Sequence, residues 1–368
     1  MLNDILKPEL CYMNSLKALL ANPAAPVNIL EGTPFLDTLM QDRFKMPWME
    51  VNGDEFAAKA APSLPSVNPG TNKRRKYYSY EKPWCETPTD ATCAPDICTA
   101  AALTEETTGY LASDIDQCIS ETWTVDEAQF DNLNETPNAR RAEMLRRKAY
   151  NIKQKVNKIA LQQLYASVSD YTDGTASIGA TTKRVNIISS DMKISPVGLA
   201  KIAGEYRRES FNGEYVIFGG HTLADFWQVR RWQVSPEGRL GSDLADNSLP
   251  FIYDAAFDTT FQTLEADNAS HGVTVPLGSF AMDFYNEFTG YKIKSFEDFI
   301  KTTIEIDGIL YDYSLFYDKC KGTYTEQLKL HFGFLTLPDS IYCSGRALIK
   351  HWEFGCGDVD CDTLCSNC

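Results

Sequence analysis

The apolar positions between residues 137 and 168 follow the period of an α-helix. They recur at spacings of four and three, which places their side chains on one face of a helix. The residues of this apolar face are Leu145, Ala149, Ile152, Val156 and Ile159. Asn138, directly after Pro137, has a side chain suited to the N-cap position. A helix over Pro137–Val168 is about 46 Å long at about 1.5 Å per residue, whereas the usual globular helix has about 11–12 residues.

The residues before this helix have the composition of an extended arm rather than of a compact domain. After a short amphipathic helix within the first 20 residues, stretches rich in Pro, Gly, Ser and Thr alternate with scattered aromatic residues. Lys73–Tyr80 has the composition of a strand, and Thr99–Tyr110 is placed to return antiparallel to it. Segments of this kind bury little surface alone, so we expect contacts with other chains to order them.

The pattern after the long helix mixes helices and strands. Periodicity predicts helices over Ser195–Phe211 and Thr222–Trp232, and an apolar run predicts a buried strand at Tyr215–Gly219. Phe280–Phe288 and Phe296–Ile304 combine aromatic residues with helical signals. Together these elements predict an α/β or α+β region.

Alternation of apolar and polar residues takes over between Thr303 and Pro338. The run TTIEIDGILYDYSLFYD alternates and is rich in Ile, Tyr and Phe, and Thr323–Leu337 alternates again. The tripeptide Cys320-Lys321-Gly322 separates the two runs as a turn. The sequence therefore predicts a β-hairpin in this region.

Charge is distributed unevenly along the chain. The net charge is −15, but the long helix contains eight basic residues and one acid, Glu143. An acidic chain is not a dedicated nucleic-acid or membrane-surface binder unless its basic residues share one face, as they do on this helix. That face either pairs with acids of its own chain or contacts another molecule. Six basic residues are candidates for contacts with other chains: Arg140, Arg141, Arg146, Arg147, Lys148 and Lys153.

Cysteine is abundant, with 11 residues in the chain. Four of them lie in the C-terminal segment GCGDVDCDTLCSNC and could hold a tetrahedral Zn²⁺ as thiolates: Cys356, Cys361, Cys365 and Cys368. Free thiols, or disulfides formed in an oxidising medium, explain the same cluster without a metal. A second group lies in the proline-rich region, where cross-links fit as well as a metal: Cys85, Cys93 and Cys98.

The sequence presents no active-site motif for phosphate, dinucleotide, zinc-protease or serine-hydrolase chemistry. His221 follows two glycines after a predicted strand, where a catalytic residue could lie, but a turn before a helix explains the glycines. His331 fits a partly buried position in a sheet. The aromatic and basic residues of Lys73–Tyr80 could stack on nucleic acid, although an extended ribbon fits them better. We expect no catalytic residue, no enzymatic activity, and no cofactor beyond the zinc that the C-terminal cysteines could hold.

No apolar run reaches the roughly 18 residues needed to span a bilayer. The first 20 residues carry Asp4, Lys7 and Glu9 within their apolar pattern, so they do not read as a signal peptide. We therefore expect a protein that folds in a cytoplasm and does not contact a membrane.

Taken in order, the chain reads as an arm, a long two-stranded loop, one very long helix, an α/β region and closing strands. This order resembles that of the Hong Kong 97-type major capsid proteins of tailed phages. The segment ISETWTVDEAQFDNLNE and the run YVIFGGHTLADFW look like stretches common in that family. The resemblance implies an α+β fold with these parts: an N-terminal arm (1–66), an extended loop (67–120), a peripheral domain with the spine helix (121–190), an α/β axial domain (191–305), and closing strands of the peripheral domain with the cysteine-rich tail (306–368).

The same resemblance implies a structural role, in which the chain self-assembles into the icosahedral capsid shell that encloses a viral genome. Its partners would be copies of itself in hexamers and pentamers, and the portal, scaffold and decoration proteins of the virion. Packaged DNA would be contacted only non-specifically, and the shell would be assembled in the host cytoplasm. The alternatives are a tail, connector or minor capsid component of a virion, or a zinc-binding enzyme that uses the C-terminal cysteines.

Overall fold

The computed structural model of the chain contains two compact units. One is formed by Met1–Thr33, Ile115–Ile159 and Met282–Gly333, and the other by Pro34–Asp114, Ala160–Ala281 and Phe334–Cys368. The structure describes residues 17–18, 20, 33–40, 49–51, 75–81, 108–126, 137–170, 184–186, 204, 215–221, 223–224, 251–266, 270–287, 294–296, 299–318, 320–321, 323–336 and 349–355. We call the two units the first and the second unit.

Helices and strands are numbered in chain order. The helices with described bounds are α1 (Pro34–Leu39), α2 (Pro137–Ala166) and α3 (Ala255–Glu265). The strands are β1 (Met49–Val51), β2 (Arg75–Glu81), β3 (Thr108–Asp114), β4 (Gln117–Asp126), β5 (Ser169–Asp170), β6 (Arg184–Asn186), β7 (Tyr215–Gly219), β8 (Phe251–Tyr253), β9 (His271–Pro276), β10 (Phe280–Tyr285), β11 (Lys294–Phe296), β12 (Phe299–Ile306), β13 (Ile309–Asp318), β14 (Thr323–Thr336) and β15 (Lys350–Gly355).

The long helix predicted from the sequence is present as α2, with 30 residues and a length of about 45 Å. It ends at Ala166, two residues before the predicted end, and the Ser167 amide N–H donates to the carbonyl of Leu164 at 2.9 Å. Four of the five predicted apolar-face residues are buried, and the fifth, Ile159, is half-buried. The period of the apolar residues therefore predicted both the helix and the face that it buries.

The first unit contains a six-stranded sheet in the order β10-β14-β13-β12-β11, with β4 also paired to β14. The predicted hairpin is confirmed as β13 and β14, in which the Lys321 amide donates to the Asp318 carbonyl at 3.2 Å. A second hairpin joins β12 to β13 through Asp307 and Gly308, both of which have positive φ. An Asp-Gly pair favours this kind of tight turn, although the alternation on both sides of it has the pattern of one uninterrupted strand.

Two segments with helical signals are strands in the structure. Phe280–Phe288 contains β10, and Phe296–Ile304 overlaps β12, so the helical part of their mixed signal did not predict the structure. Their aromatic and β-branched side chains pack on a pleated surface, and β12 alternates strictly between buried and less buried positions. These strands hydrogen-bond into the sheet that also contains the closing strands β13 and β14.

The second unit contains a mixed sheet in the order β5-β15-β9-β7-β8, with β6 paired to β15. The predicted strand at Tyr215–Gly219 is confirmed as β7, and four of its five residues are buried. Next to it packs an aromatic core that includes Phe35 and Phe218, whose ring centroids lie 4.8 Å apart, edge to face. Asp254 caps α3 by accepting from Ala256 N–H, and its other oxygen accepts from Phe35 N–H at 3.2 Å.

The predicted two-stranded loop is present as part of a three-stranded sheet in the order β1-β2-β3. The pairing of β2 with β3 is antiparallel, as expected; the described returning strand is Thr108–Asp114, and residues 99–107 of the predicted strand lie outside the described residues. The predicted helices at Ser195–Phe211 and Thr222–Trp232 lie almost wholly outside the described residues. The same is true of the helix within the first 20 residues, of which residues 17, 18 and 20 are described and helical.

Gly272 on β9 leaves room for the ring of Trp352 on β15, its partner in the antiparallel register. A Cβ at this position would lie 2.6 Å from ring atoms of Trp352. The indole itself is fully buried and donates to Thr274 Oγ1 at 3.0 Å. The ring is thus held by its hydrogen bond and by the close approach of the Gly272 backbone.

We therefore expect Gly272→Ala to lower the free energy of unfolding by about 1–3 kcal/mol through overpacking. Urea denaturation followed by tryptophan fluorescence measures the change. Gly204→Ala is the matched control, because a Cβ there meets nothing within 4 Å, and alanine is favoured over glycine in a helix. Equal stability of the two variants would contradict the close packing of Gly272 on Trp352.

Candidate subunit interface

Arg141, in the first part of α2, packs against the sheet of the first unit. The Arg141 guanidinium contacts the carboxylate of Glu326 on β14, and the two side chains are 6% and 0% exposed. The same guanidinium lies over the ring of Tyr324, 4.7 Å from its centroid. Arg141 therefore joins α2 to the sheet through a charge pair and a cation–π contact.

Burial dominates the electrostatics of Glu326. Removal of its carboxylate from water raises its pKa above the ordinary value, and the charge of Arg141 opposes that shift. A buried ion pair gives little net stability compared with apolar residues of the same shape, but the loss of one partner leaves an uncompensated buried charge. The pair therefore matters most for the relative placement of α2 and β14.

A second charge cluster joins α2 to β4. Lys155 donates a hydrogen bond to Glu121, and Lys148 Nζ lies 3.6 Å from the other oxygen of the same carboxylate. The hydrogen bond from Lys155 is the main cause that holds the pKa of Glu121 below its ordinary value. Lys148 also lies over the ring of Trp123, 5.8 Å from its centroid. Both lysines of α2 are therefore paired with one acid of their own chain, Glu121.

A continuous line of exposed residues runs along the side of α2 opposite to its apolar face, and it includes Lys155. The spacing of four, four, four and three keeps these residues on one face of the helix, and we call this line the exposed strip: Glu143, Arg147, Asn151, Lys155 and Lys158. Arg147 is 74% exposed and pairs with Glu143 one turn before it. Three cations and one acid give the strip a net positive charge in a chain of net charge −15.

The remaining candidates occupy the flanks of the helix. Arg140, Arg146 and Lys153 are half-buried. Arg146 lines a cavity of about 590 Å³ together with Lys17, Glu305 and Asp307, so acids of the same unit lie near it. Of the six residues proposed from sequence for contacts with other chains, Arg147 is the most exposed, whereas Arg141 and Lys148 are already joined to acids of their own sheet. A role of any of the six in subunit contacts stays a prediction.

The other residues singled out from the sequence fall into two groups. The cysteines of the C-terminal cluster and those of the proline-rich region lie outside the described residues. His221 is described, and its Nδ1 lies 2.8 Å from Asp258 Oδ2. A Cβ on Gly220 would overlap with the Asp258 carboxylate, so this close approach accounts for one of the two glycines before His221.

Within the part of the chain that the structure describes, no helix combines the length and the apolar character that a membrane span requires.

Comparison with family models finds no match, and comparison with curated proteins also finds none. Solved structures do match. The chain in the cyanophage A-1(L) capsid asymmetric unit is 13% identical, with a TM-score of 0.50 over 91% of this chain and 97% of that chain. A chain of Mycobacterium phage Che8 is 12% identical, with a TM-score of 0.45 over 90% and 98%. A chain from the capsid of Ralstonia phage GP4 is 8% identical, with a TM-score of 0.40 over 78% and 85%.

The fold is that of a phage capsid subunit, because the similarity to the cyanophage A-1(L) chain extends over nearly the whole length of both chains. It confirms the predicted α+β class and the Hong Kong 97-like capsid fold with its long helix, arrived at above from the order of elements. At 13% identity the similarity establishes the fold alone.

Proposed function

We propose that this chain is a major capsid protein, which self-assembles into the icosahedral shell that encloses a viral genome. The observation that carries the proposal is the capsid fold, shared with the cyanophage A-1(L) chain over 91% of this chain. The chain in that structure belongs to a capsid asymmetric unit. The proposed role is structural, and it requires neither a catalytic residue nor a cofactor.

Two features of the described surface suit a subunit that binds its own copies. The exposed strip is basic, whereas the rest of the chain is strongly acidic, so the strip of one copy is attracted to acidic surfaces of another. On β13, Leu310 and Phe316 are 46% and 47% exposed, and both lie on the same face of the sheet. Burial of large apolar side chains under a neighbouring copy lowers the free energy of the assembly.

The partners follow from the same proposal. Copies of the chain form the hexamers and pentamers of the shell, and portal, scaffold and decoration proteins of the virion bind to the assembled subunits. Packaged DNA is contacted only non-specifically, because a lining of net negative charge repels phosphate. The protein resides in the virion, and the shell is assembled in the host cytoplasm.

Electron microscopy of the purified full-length protein tests the proposal. We expect closed shells, or hexamers and pentamers, when the chain is expressed alone or together with the virion genes next to it. A chain that stays monomeric under both conditions would contradict the proposal. Open tubes, or rings that are neither five-fold nor six-fold, would instead identify a tail or connector component.

A further inference from the structure

A cluster of potential metal ligands lies in the sheet of the first unit, away from the residues discussed above. One ligand atom of each of Glu287, Asp312 and His331 lies within 4.8 Å of the others. Asp312 belongs to β13, His331 to β14, and Glu287 follows β10. The chain thus brings two carboxylates and one imidazole together from three neighbouring strands.

The cluster lies on the face of the sheet opposite to α2. In the register, Glu326 pairs with Trp123 and Leu328 with Tyr313, and Arg141 and Lys148 of α2 contact residues of this set. Side chains alternate between faces along a strand, so the odd-numbered His331 on β14 and the even-numbered Asp312 on β13 point the other way. Cys118 of β4 is the register partner of His331, and its Sγ lies 3.9 Å from His331 Nε2.

Burial at this position departs from the pattern of its own strand. Leu310 and Phe316 share a face of β13 with Asp312 and are 46% and 47% exposed, whereas Asp312 is 1% exposed. His331 is 4% exposed. Apolar residues thus face solvent while a carboxylate and an imidazole are buried between them. Carboxylates are rarely buried unless a cation or metal compensates their charge.

We propose that Glu287, Asp312 and His331 bind a single divalent transition-metal ion, and that Zn²⁺ is the ion that fits best. Imidazole and carboxylate together suit Zn²⁺, whereas Mg²⁺ prefers oxygen ligands alone. His331 Nε2 and Glu287 Oε1 are 3.5 Å apart, close to the spacing of about 3.4 Å between two ligands of a tetrahedral zinc. Water completes the coordination shell, and the Glu287 side chain, 32% exposed, marks the path of entry.

The neighbouring polar contacts hold the ligands in position. The Glu287 amide N–H donates to Asp312 Oδ2 at 2.8 Å. The ring of Tyr285 packs edge-on against the His331 imidazole, with 6.4 Å between the ring centroids. Such contacts around the ligands orient them for the metal. Since the ligands come from β13, β14 and the residues just after β10, the ion links three segments of one sheet.

Two cations of the chain itself could compensate the carboxylates instead. One is His331 in its protonated form, and the other is Lys329, which lies opposite Asp312 in the register. Under that account the cluster needs no metal. Substitution of Glu287, Asp312 or His331 would then leave the affinity of the chain for Zn²⁺ unchanged. The two accounts therefore differ in a measurable way.

Calorimetric titration of Zn²⁺ into EDTA-treated, full-length, unassembled subunits tests the proposal. We expect the unaltered chain to bind about one equivalent of Zn²⁺ at this site. The affinity should fall at least 100-fold in His331→Gln and in Asp312→Asn, because the loss of a residue that only hydrogen-bonds to a metal ligand already lowers metal affinity about 10–100-fold. Glu287→Gln, at the half-exposed ligand, keeps the test valid if the buried variants fail to fold by circular dichroism. His221→Gln is the matched control and should bind as the unaltered chain does. An equal concentration of Mg²⁺ should not displace Zn²⁺.

A second variant separates this site from the C-terminal cysteines. Replacement of Cys356, Cys361, Cys365 and Cys368 by serine should leave the binding at Glu287, Asp312 and His331 intact. With Co²⁺ as a probe, the d–d absorption bands of the bound ion should persist in that variant without a thiolate charge-transfer band, and they should disappear when His331→Gln is added. If Zn²⁺ binding is lost with the four tail cysteines but retained in Glu287→Gln and His331→Gln, the proposal is wrong. It is equally wrong if the unaltered chain binds Zn²⁺ no better than Glu287→Gln does.

Discussion

Replacement of Glu326 by leucine should lower the free energy of unfolding by about 3–5 kcal/mol, because it leaves the Arg141 guanidinium buried without its carboxylate. An effect of this size is a large part of the total stability of a typical domain, which is about 5–15 kcal/mol. Urea denaturation of the unassembled subunit, followed by circular dichroism, measures the change. Arg141→Met should have an effect of similar size, since it leaves Glu326 buried without its cation.

The double variant Arg141→Met/Glu326→Leu should recover most of this loss, because apolar residues of similar volume replace a buried ion pair at little net change. The resulting double-mutant cycle isolates the interaction between the two side chains. Glu143 and Arg147 provide the matched exposed pair on the same helix, and removal of that pair should change stability by less than about 0.5 kcal/mol. Single variants at Arg141 and Glu326 that behave like the exposed pair would disprove the role given to the buried one.

Reversal of charge on the exposed strip should prevent assembly while the subunit still folds. The variant Arg147→Glu/Lys158→Glu changes the net charge by −4 at two exposed positions and leaves Lys155 in its contact with Glu121. Like charges brought together at an interface cost several kcal/mol, and that cost recurs at every copy of the contact. We expect the fraction of protein in shells, measured by sedimentation and electron microscopy, to fall at least about 10-fold.

A charge-matched control distinguishes a specific contact from a general effect of net charge. Lys321→Glu is compared with the single variants Arg147→Glu and Lys158→Glu, because each changes the net charge by −2 and Lys321 lies in the turn after β13 rather than on α2. Circular dichroism should show all of these variants folded. If the strip variants assemble as well as the control, the strip is a solvated surface and the subunit contacts lie elsewhere.

The elements that sequence reasoning found are those whose signal is local. The period of Leu145, Ala149 and Ile152 depends only on α2 itself, so the helix and its buried face could be predicted. The same holds for the strand Tyr215–Gly219, which is a short apolar run. The turn at Asp307 and Gly308 was also encoded locally, by the Asp-Gly pair, but the alternation on both sides of it concealed the break.

What could not be predicted depends on pairing between distant parts of the chain. Glu326 is one of many acids in the sequence, and only the register of β4 on β14 and the packing of α2 select it as the partner of Arg141. The same is true of Asp312, whose burial is unlike that of its neighbours on β13. Helical signals in Phe280–Phe288 were wrong because the environment of a large sheet overrides weak local preferences.

The position of β14 in the first unit has a consequence for the order of folding during synthesis. This strand pairs with β4 and β13 and carries Glu326, yet it is translated more than 150 residues after α2 ends. At about 5–20 residues per second, the ribosome delivers it about 8–30 s later. Throughout that interval β4 lacks β14, the strand with which it pairs. The burial of Arg141 against Glu326, and with it the attachment of α2 to this strand, therefore waits for β14 to be synthesised.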